Sequence, residues 1–221
     1  MKYYIYISDA KVDMLFPQVP HEIKKKVSTE LGFDLKLLSA KRKVETESDD
    51  NRIARLETVV EFIREYGNLG SGSKPDEYFE DTLPMSFYSF TKDLGIGAPP
   101  VYLSGWDESH SRLIALGGSA RHLIGGFTPS DVQVSDSIGI TILENLRQIL
   151  GEKGRKERAA TTSDLSVVYR LEKYQEYNET DATKRGTELI DFFAKRLASG
   201  DKSDDCPAIV LGTPLYLAKA D

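Results

Sequence analysis

Cysteine is nearly absent: Cys206 is the single one in 221 residues. No intramolecular disulfide can form, a thiolate zinc cluster is out of reach, and a reducing compartment fits. Histidine is scarce too, with His21, His110 and His122 the full set, so no metal site is expected. No apolar run approaches the roughly 18 residues of a membrane-spanning helix. The stretch Tyr3–Ile7 behind Met1-Lys2 is too short and too polar for a secretion signal. A basic surplus is also missing: 29 Lys and Arg stand against 35 Asp and Glu, a formal net charge of -6. A general nucleic-acid binder leans on a basic surface, so nucleic acid is not an expected partner. These absences lead us to expect a soluble cytoplasmic protein with no cofactor and no membrane contact.

What is present is ordinary globular material, 40% hydrophobic and 29% charged, long enough to bury a core without staples. Tyr3–Ile7 reads as a strand. The apolar segment Lys11–Pro20 follows, and its two prolines argue against a regular helix there; Met14, Leu15 and Phe16 are expected to pack down or line a cleft. His21–Leu31 is helical, stopped by Gly32. Phe33–Val44 alternates like a strand, and Glu45–Asn51 is a loop. From Asp50, Ile53, Leu56, Val59, Val60 and Ile63 form one helical stripe ending at Gly67.

Residues 67–76, rich in glycine and serine, resemble a linker and a weak boundary. Tyr78–Phe90 is extended, 91–100 is a loop, and Val101–Leu103 with Arg112–Leu116 form a hairpin. Ser135 or Asp136 caps a helix through Leu150, followed by a charged connection at 152–162. Leu165–Tyr177 fits strand or helix. Thr180 or Asp181 opens a helix carrying Leu189, Ile190, Phe193 and Leu197. Ala208–Ala218 reads as a buried strand interrupted at Gly212–Pro214. The expectation is a single α+β domain over 1–221, a mixed β-sheet with at least four helices packed on it.

The densest chemistry lies in Leu116-Gly117-Gly118-Ser119-Ala120-Arg121-His122. As a turn, Gly117, Gly118 and Ser119 would offer backbone N–H groups to an anion at the edge of the main pocket, with Arg121 as a clamp and His122 as donor or acid/base. No known phosphate-loop spacing is present. Asp9, Lys11 and Asp13 follow the first strand, where ligands of α/β sheets often sit. Trp106, the single tryptophan, is a candidate stacking residue. A Ser119–His122–Asp107 triad can be drawn, but Ser119 lacks the nucleophile-elbow string. No catalytic residue is assigned.

Three strings have a family likeness: Tyr4–Pro20, Leu116–Gly125 and Val210–Ala218. They resemble an uncharacterised bacterial protein family of about this length. The resemblance implies a bacterial cytoplasmic protein and carries over no functional residue. The residues themselves suggest a binding or regulatory module for an anionic, nucleotide-like ligand or a protein partner. The ligand-binding set is Gly117, Gly118, Ser119, Arg121, His122, Asp9, Lys11 and Trp106. The alternative is a phosphoester or nucleotide hydrolase using His122, Arg121 and Asp9 or Asp13.

Overall fold

The computed structural model describes residues 2–32, 49–90, 100–124, 162–174 and 182–220. In chain order these form β1 (Tyr3–Ile7), α1 (Asp9–Leu15), a 3-10 turn (Phe16–Gln18), α2 (His21–Leu31), α3 (Asp49–Tyr66), β2 (Leu69–Ser71) and β3 (Tyr78–Phe90). Then come β4 (Pro100–Trp106), β5 (Arg112–Ser119), a second 3-10 turn (Ala120–His122), α4 (Thr162–Tyr174), β6 (Ala182–Gly200) and β7 (Ala208–Lys219). The strand expected at Phe33–Val44 and the helix expected after Ser135 lie outside the described residues, as do most of the loops at 91–100 and 152–162.

The sheet closes on itself. β3 pairs with β4, β4 with β5, β5 with β7, β7 with β6, and β6 returns to β3. The β5–β7 pair is parallel and the others in the ring are antiparallel. β1 adds to β7, and the short β2, from the linker-like segment, adds to β3. The α+β reading, a mixed sheet covered by helices, is therefore corrected. The architecture is a closed five-stranded barrel, with more strand than helix among the described residues.

The misreading came chiefly from β6. Leu189, Ile190, Phe193 and Leu197 recur at helical spacing, yet 182–200 is one 19-residue strand. Two consecutive phenylalanines, Phe192 and Phe193, are both fully buried. A strand sends neighbours to opposite faces. Phe192 enters the barrel with Ile190 and Ala194, while Phe193 packs outside against the helices. A strand covered on both faces loses the alternation that would identify it. The other members of the false stripe, Leu189 and Leu197, are 39% and 38% exposed.

β7 continues through Gly212–Pro214 without interruption. A bulge at Leu215 absorbs the irregularity, because Ala194 pairs with Pro214 and Phe193 with Tyr216. Proline also does not prevent α1: the helix ends at Leu15, and Pro17 enters the following 3-10 turn at its start, where a missing N–H is harmless. Of the apolar loop residues, Phe16 and Val19 are buried, but Met14 is 59% exposed.

Two helical layers cover the barrel. Val12, Phe16, Ile23, Val27, Leu56 and Val60 pack with Phe193 and Tyr216 on one flank. On the other, Leu165, Val168 and Leu171 of α4 pack on Tyr102, Leu113, Ile209 and Leu211. The helical repeat thus prevails over the β-branched Val167-Val168 pair. Gly32 ends α2 in the left-handed region, at φ +72.

Asp107 fixes the β4–β5 hairpin tip. Its buried carboxylate accepts from the Ser111 N–H (2.7 Å), the Arg112 N–H (2.9 Å) and the hydroxyls of Ser109 (2.8 Å) and Ser111 (2.9 Å). Burial opposes the charge, but these donors outweigh it and hold the carboxyl below its usual range. Asp107→Ala is predicted to lower stability by about 2–4 kcal/mol at neutral pH, by leaving buried donors unpaired. The depressed pKa makes the charge-dependent part of this contribution full above about pH 4 and lost as pH falls below it. Urea unfolding of both proteins across that range checks the prediction; equal stabilities at pH 7 would refute it.

Candidate functional site

β6 lines one edge of β7 along most of its length, so β5 and β1 share the other edge. β5 pairs with Ala208–Gly212 and β1 with Tyr216–Lys219. Because β5 is parallel and β1 antiparallel to β7, their carboxyl ends face each other across residues 213–215. The seam is tied by a bridge between Tyr6 and Leu123 and by the Ile124 N–H donating to the Ile5 carbonyl at 3.0 Å. Two polar segments leave the strand ends here: Ser8-Asp9-Ala10-Lys11 into α1, and Ser119-Ala120-Arg121-His122 into the second 3-10 turn.

Each carboxylate of α1 is held by an arginine of α3. Arg52 forks onto Asp9 (Nε to Oδ1 2.7 Å, Nη2 to Oδ2 2.9 Å) and also donates to the Ile7 carbonyl at 3.1 Å. Arg55, stacked over the Phe16 ring, donates to Asp13 at 2.7 Å. Lys11 is left to neutral oxygens. Its ammonium donates to Ser8 Oγ at 3.0 Å and to the Pro214 carbonyl at 3.1 Å, and among the described residues no carboxylate pairs with it. Burial alone lowers its pKa to about 8.

Two buried hydroxyls accompany it. Tyr6 Oη and Thr213 Oγ1 have no hydrogen bond of ordinary geometry among the described residues. Burial raises the Tyr6 pKa, with Ser8 and the Ser119 backbone as its polar neighbours. His122 meets the Tyr6 ring edge-on, 5.7 Å between centroids, and its Nδ1 lies 3.9 Å from Asp9 Oδ2.

The structure thus brings Asp9, Lys11, Gly118, Ser119, Arg121 and His122 to one seam, from segments more than 100 residues apart. It corrects the role of the glycines: Gly117, Gly118 and Ser119 belong to β5, not to a turn. Gly118 is there for close approach, since a Cβ on it would lie 2.3 Å from Tyr6 Oη. Trp106 is not part of the seam. It pairs with Leu113 at the other end of β5, roughly 17 Å from Gly118 by strand rise. The same separation rules out the Ser119–His122–Asp107 triad. Sequence reasoning missed Tyr6, Arg52 and Thr213. The polar Thr213-Pro214 interruption of an otherwise apolar tail was the one local signal.

Chemically, the seam sets an ammonium and an imidazole beside two carboxylates that arginines already hold. Asp9 and Asp13 are neutralised by arginines, and 3.9 Å is too long for Asp9 to orient His122 by a hydrogen bond. Ser8 and Lys11 resemble a hydroxyl–amine nucleophile pair, but Ser8 is 1% exposed, which bars an electrophile from its Oγ.

Among the described residues, no helix is long and apolar enough to cross a membrane, and no three His, Cys, Asp or Glu gather as metal ligands. No curated protein and no solved structure matches the chain. A family model does match, over residues 2–221, and the chain belongs to the family it describes, a family of unknown function (DUF7019).

Proposed function

We propose that this protein is a binding module for a small anion, a carboxylate- or phosphate-bearing molecule received at the β1–β5 seam. The observation that carries the reading is Lys11: a mostly buried ammonium whose hydrogen-bond partners among the described residues are neutral oxygens. A buried charge without a counter-charge is expensive, and an incoming anion relieves that expense. Arg121 and His122 stand at the same seam. The nucleotide-like identity suggested by the sequence rests on the same anion chemistry.

The reading predicts a pH dependence. The anion binds the ammonium form, which predominates below about pH 8 in the free protein. Affinity should fall as pH rises through that value, and binding near pH 8 should take up a proton. Thermal-shift measurements with inorganic phosphate, nucleoside monophosphates and dicarboxylates test this, since a ligand of the folded state raises the melting temperature by mass action. At least one of these anions should stabilise the wild type at pH 7, less at pH 9, and Lys11→Met at neither. Equal responses in the two proteins would contradict the proposal.

A further inference from the structure

An amine attacks carbonyl carbon only in its neutral form, so an ordinary lysine, protonated at pH 7, is inert toward aldehydes and ketones. Lys11 differs. Its Nζ is held in one place, donating to Ser8 Oγ at 3.0 Å and to the Pro214 carbonyl at 3.1 Å. Both holders are neutral, and among the described residues no carboxylate pairs with it to favour the charged form. Burial pushes the ammonium down to about 8. At pH 7 roughly a tenth of the amine is then neutral, against under about one part in a thousand for an ordinary lysine.

A ligand can also reach it. An ammonium has three N–H donors; Ser8 and Pro214 take two, and the third has no partner among the described residues. Lys11 is partly exposed, whereas Ser8 is fully buried, so of this hydroxyl–amine pair it is the amine that an electrophile meets. A 2-oxo acid carries its carbonyl carbon directly on the carboxylate. Pairing that carboxylate with Lys11 therefore sets the carbonyl carbon beside Nζ. We propose that Lys11 condenses with the carbonyl of a small 2-oxo acid received at the seam, forming a reversible imine; this rests on the anion reading of the seam. The ammonium first gives a proton to water. The nitrogen lone pair then bonds to the carbonyl carbon, and one amine hydrogen passes to the carbonyl oxygen to give a carbinolamine. That oxygen leaves as water with the second amine hydrogen, and a C=N bond remains. Nothing is oxidised or reduced.

The full chain is incubated with pyruvate and sodium cyanoborohydride, which reduces an imine to a stable secondary amine, and peptide mass mapping locates the label. Lys11 should be labelled at least about tenfold faster than exposed lysines. Lactate, which has the same carboxylate but no carbonyl, should form no adduct and should slow the labelling of Lys11. Lys11→Arg keeps the charge and should still be stabilised by lactate, with the fast labelling gone. Mapping of the wild type decides the matter even if that variant folds poorly. Labelling of Lys11 no faster than that of exposed lysines would overturn the proposal, as would labelling that excess lactate leaves unchanged. The melting temperature then separates the two readings. A rise with lactate and pyruvate alike would leave the anion site standing without the imine. No rise with either, nor with phosphate or the nucleotides, would remove both.

Discussion

Lys11→Met is expected to make the protein more stable while removing its response to anions. The lysine pKa of about 8 in the folded chain stands against about 10.4 in an unfolded one, a gap equivalent to roughly 3 kcal/mol against the folded ammonium at neutral pH. Methionine fills similar space without the charge. The gain is offset by about 1 kcal/mol for each acceptor left behind, the Ser8 hydroxyl and the Pro214 carbonyl. A net rise of about 1–2 kcal/mol follows, or a few degrees in Tm for a chain of this size. The sign reverses the usual effect of removing a hydrogen-bonded side chain, and residues that reduce stability are those retained for function.

The same shift fixes a pH window. Between about pH 8 and pH 10.4 the unfolded chain holds the Lys11 proton more tightly than the folded one, so this residue makes wild-type stability rise with pH there. Tyr4, Tyr6, Tyr88 and Tyr216, whose hydroxyl pKa values burial raises, stay protonated in the fold while the unfolded chain ionises, so above about pH 10 they make stability fall with pH. The difference between wild type and variant isolates Lys11: it should be largest below pH 8 and shrink above it. Chemical denaturation at pH 7 and pH 9.5 measures this. A variant less stable than wild type at both would show that Lys11 is an ordinary structural contact.

Gly118→Ala is the second large effect expected. Elsewhere in a strand such a change would gain up to about 1 kcal/mol by reducing the freedom of the unfolded chain. Here the new methyl would sit 2.3 Å from Tyr6 Oη and 2.9 Å from Tyr6 Cζ. Tyr6 is fully buried among barrel-interior residues, so the ring has little room to retreat and overpacking should lower stability by about 1–3 kcal/mol. Tyr6→Phe removes the nearest atom, a buried hydroxyl with no hydrogen bond of ordinary geometry among the described residues, and should recover part of the loss in the double variant. Thermal melts of the two single variants and the double variant decide it. Additive effects would place the strain elsewhere.

Legibility in the sequence followed how each element is buried. α3 and α2 pack on one side, so their periodicity was plain, and the β4–β5 hairpin showed its turn. β7 and the middle of β6, residues 190–194, are covered on two faces by barrel contents and helices, which erases alternation; the sequence of β6 mimics a helix and that of β7 a broken strand. Barrel closure depends on β6 pairing with both β3 and β7, which no local pattern encodes. The seam was half legible. Asp9, Lys11, Gly118, Ser119, Arg121 and His122 stood out as polar or glycine residues at strand ends. Arg52 did not, because its role appears only when a helix 43 residues away lays it on Asp9. Trp106 drew attention as a rare residue, which marks a place of interest but not which site it serves.

The most direct measurement is an NMR titration of the Lys11 side chain in ¹³C-lysine-labelled protein, assigned with Lys11→Met, without and with inorganic phosphate. A pKa of about 8 is expected in the free protein, with a clear upward shift once phosphate occupies the seam and no such shift at exposed lysines. A Lys11 pKa near 10.4 in the free protein would contradict the buried, unpaired charge, and a value that stays at about 8 through saturating phosphate, carboxylate and nucleotide would contradict the anion site.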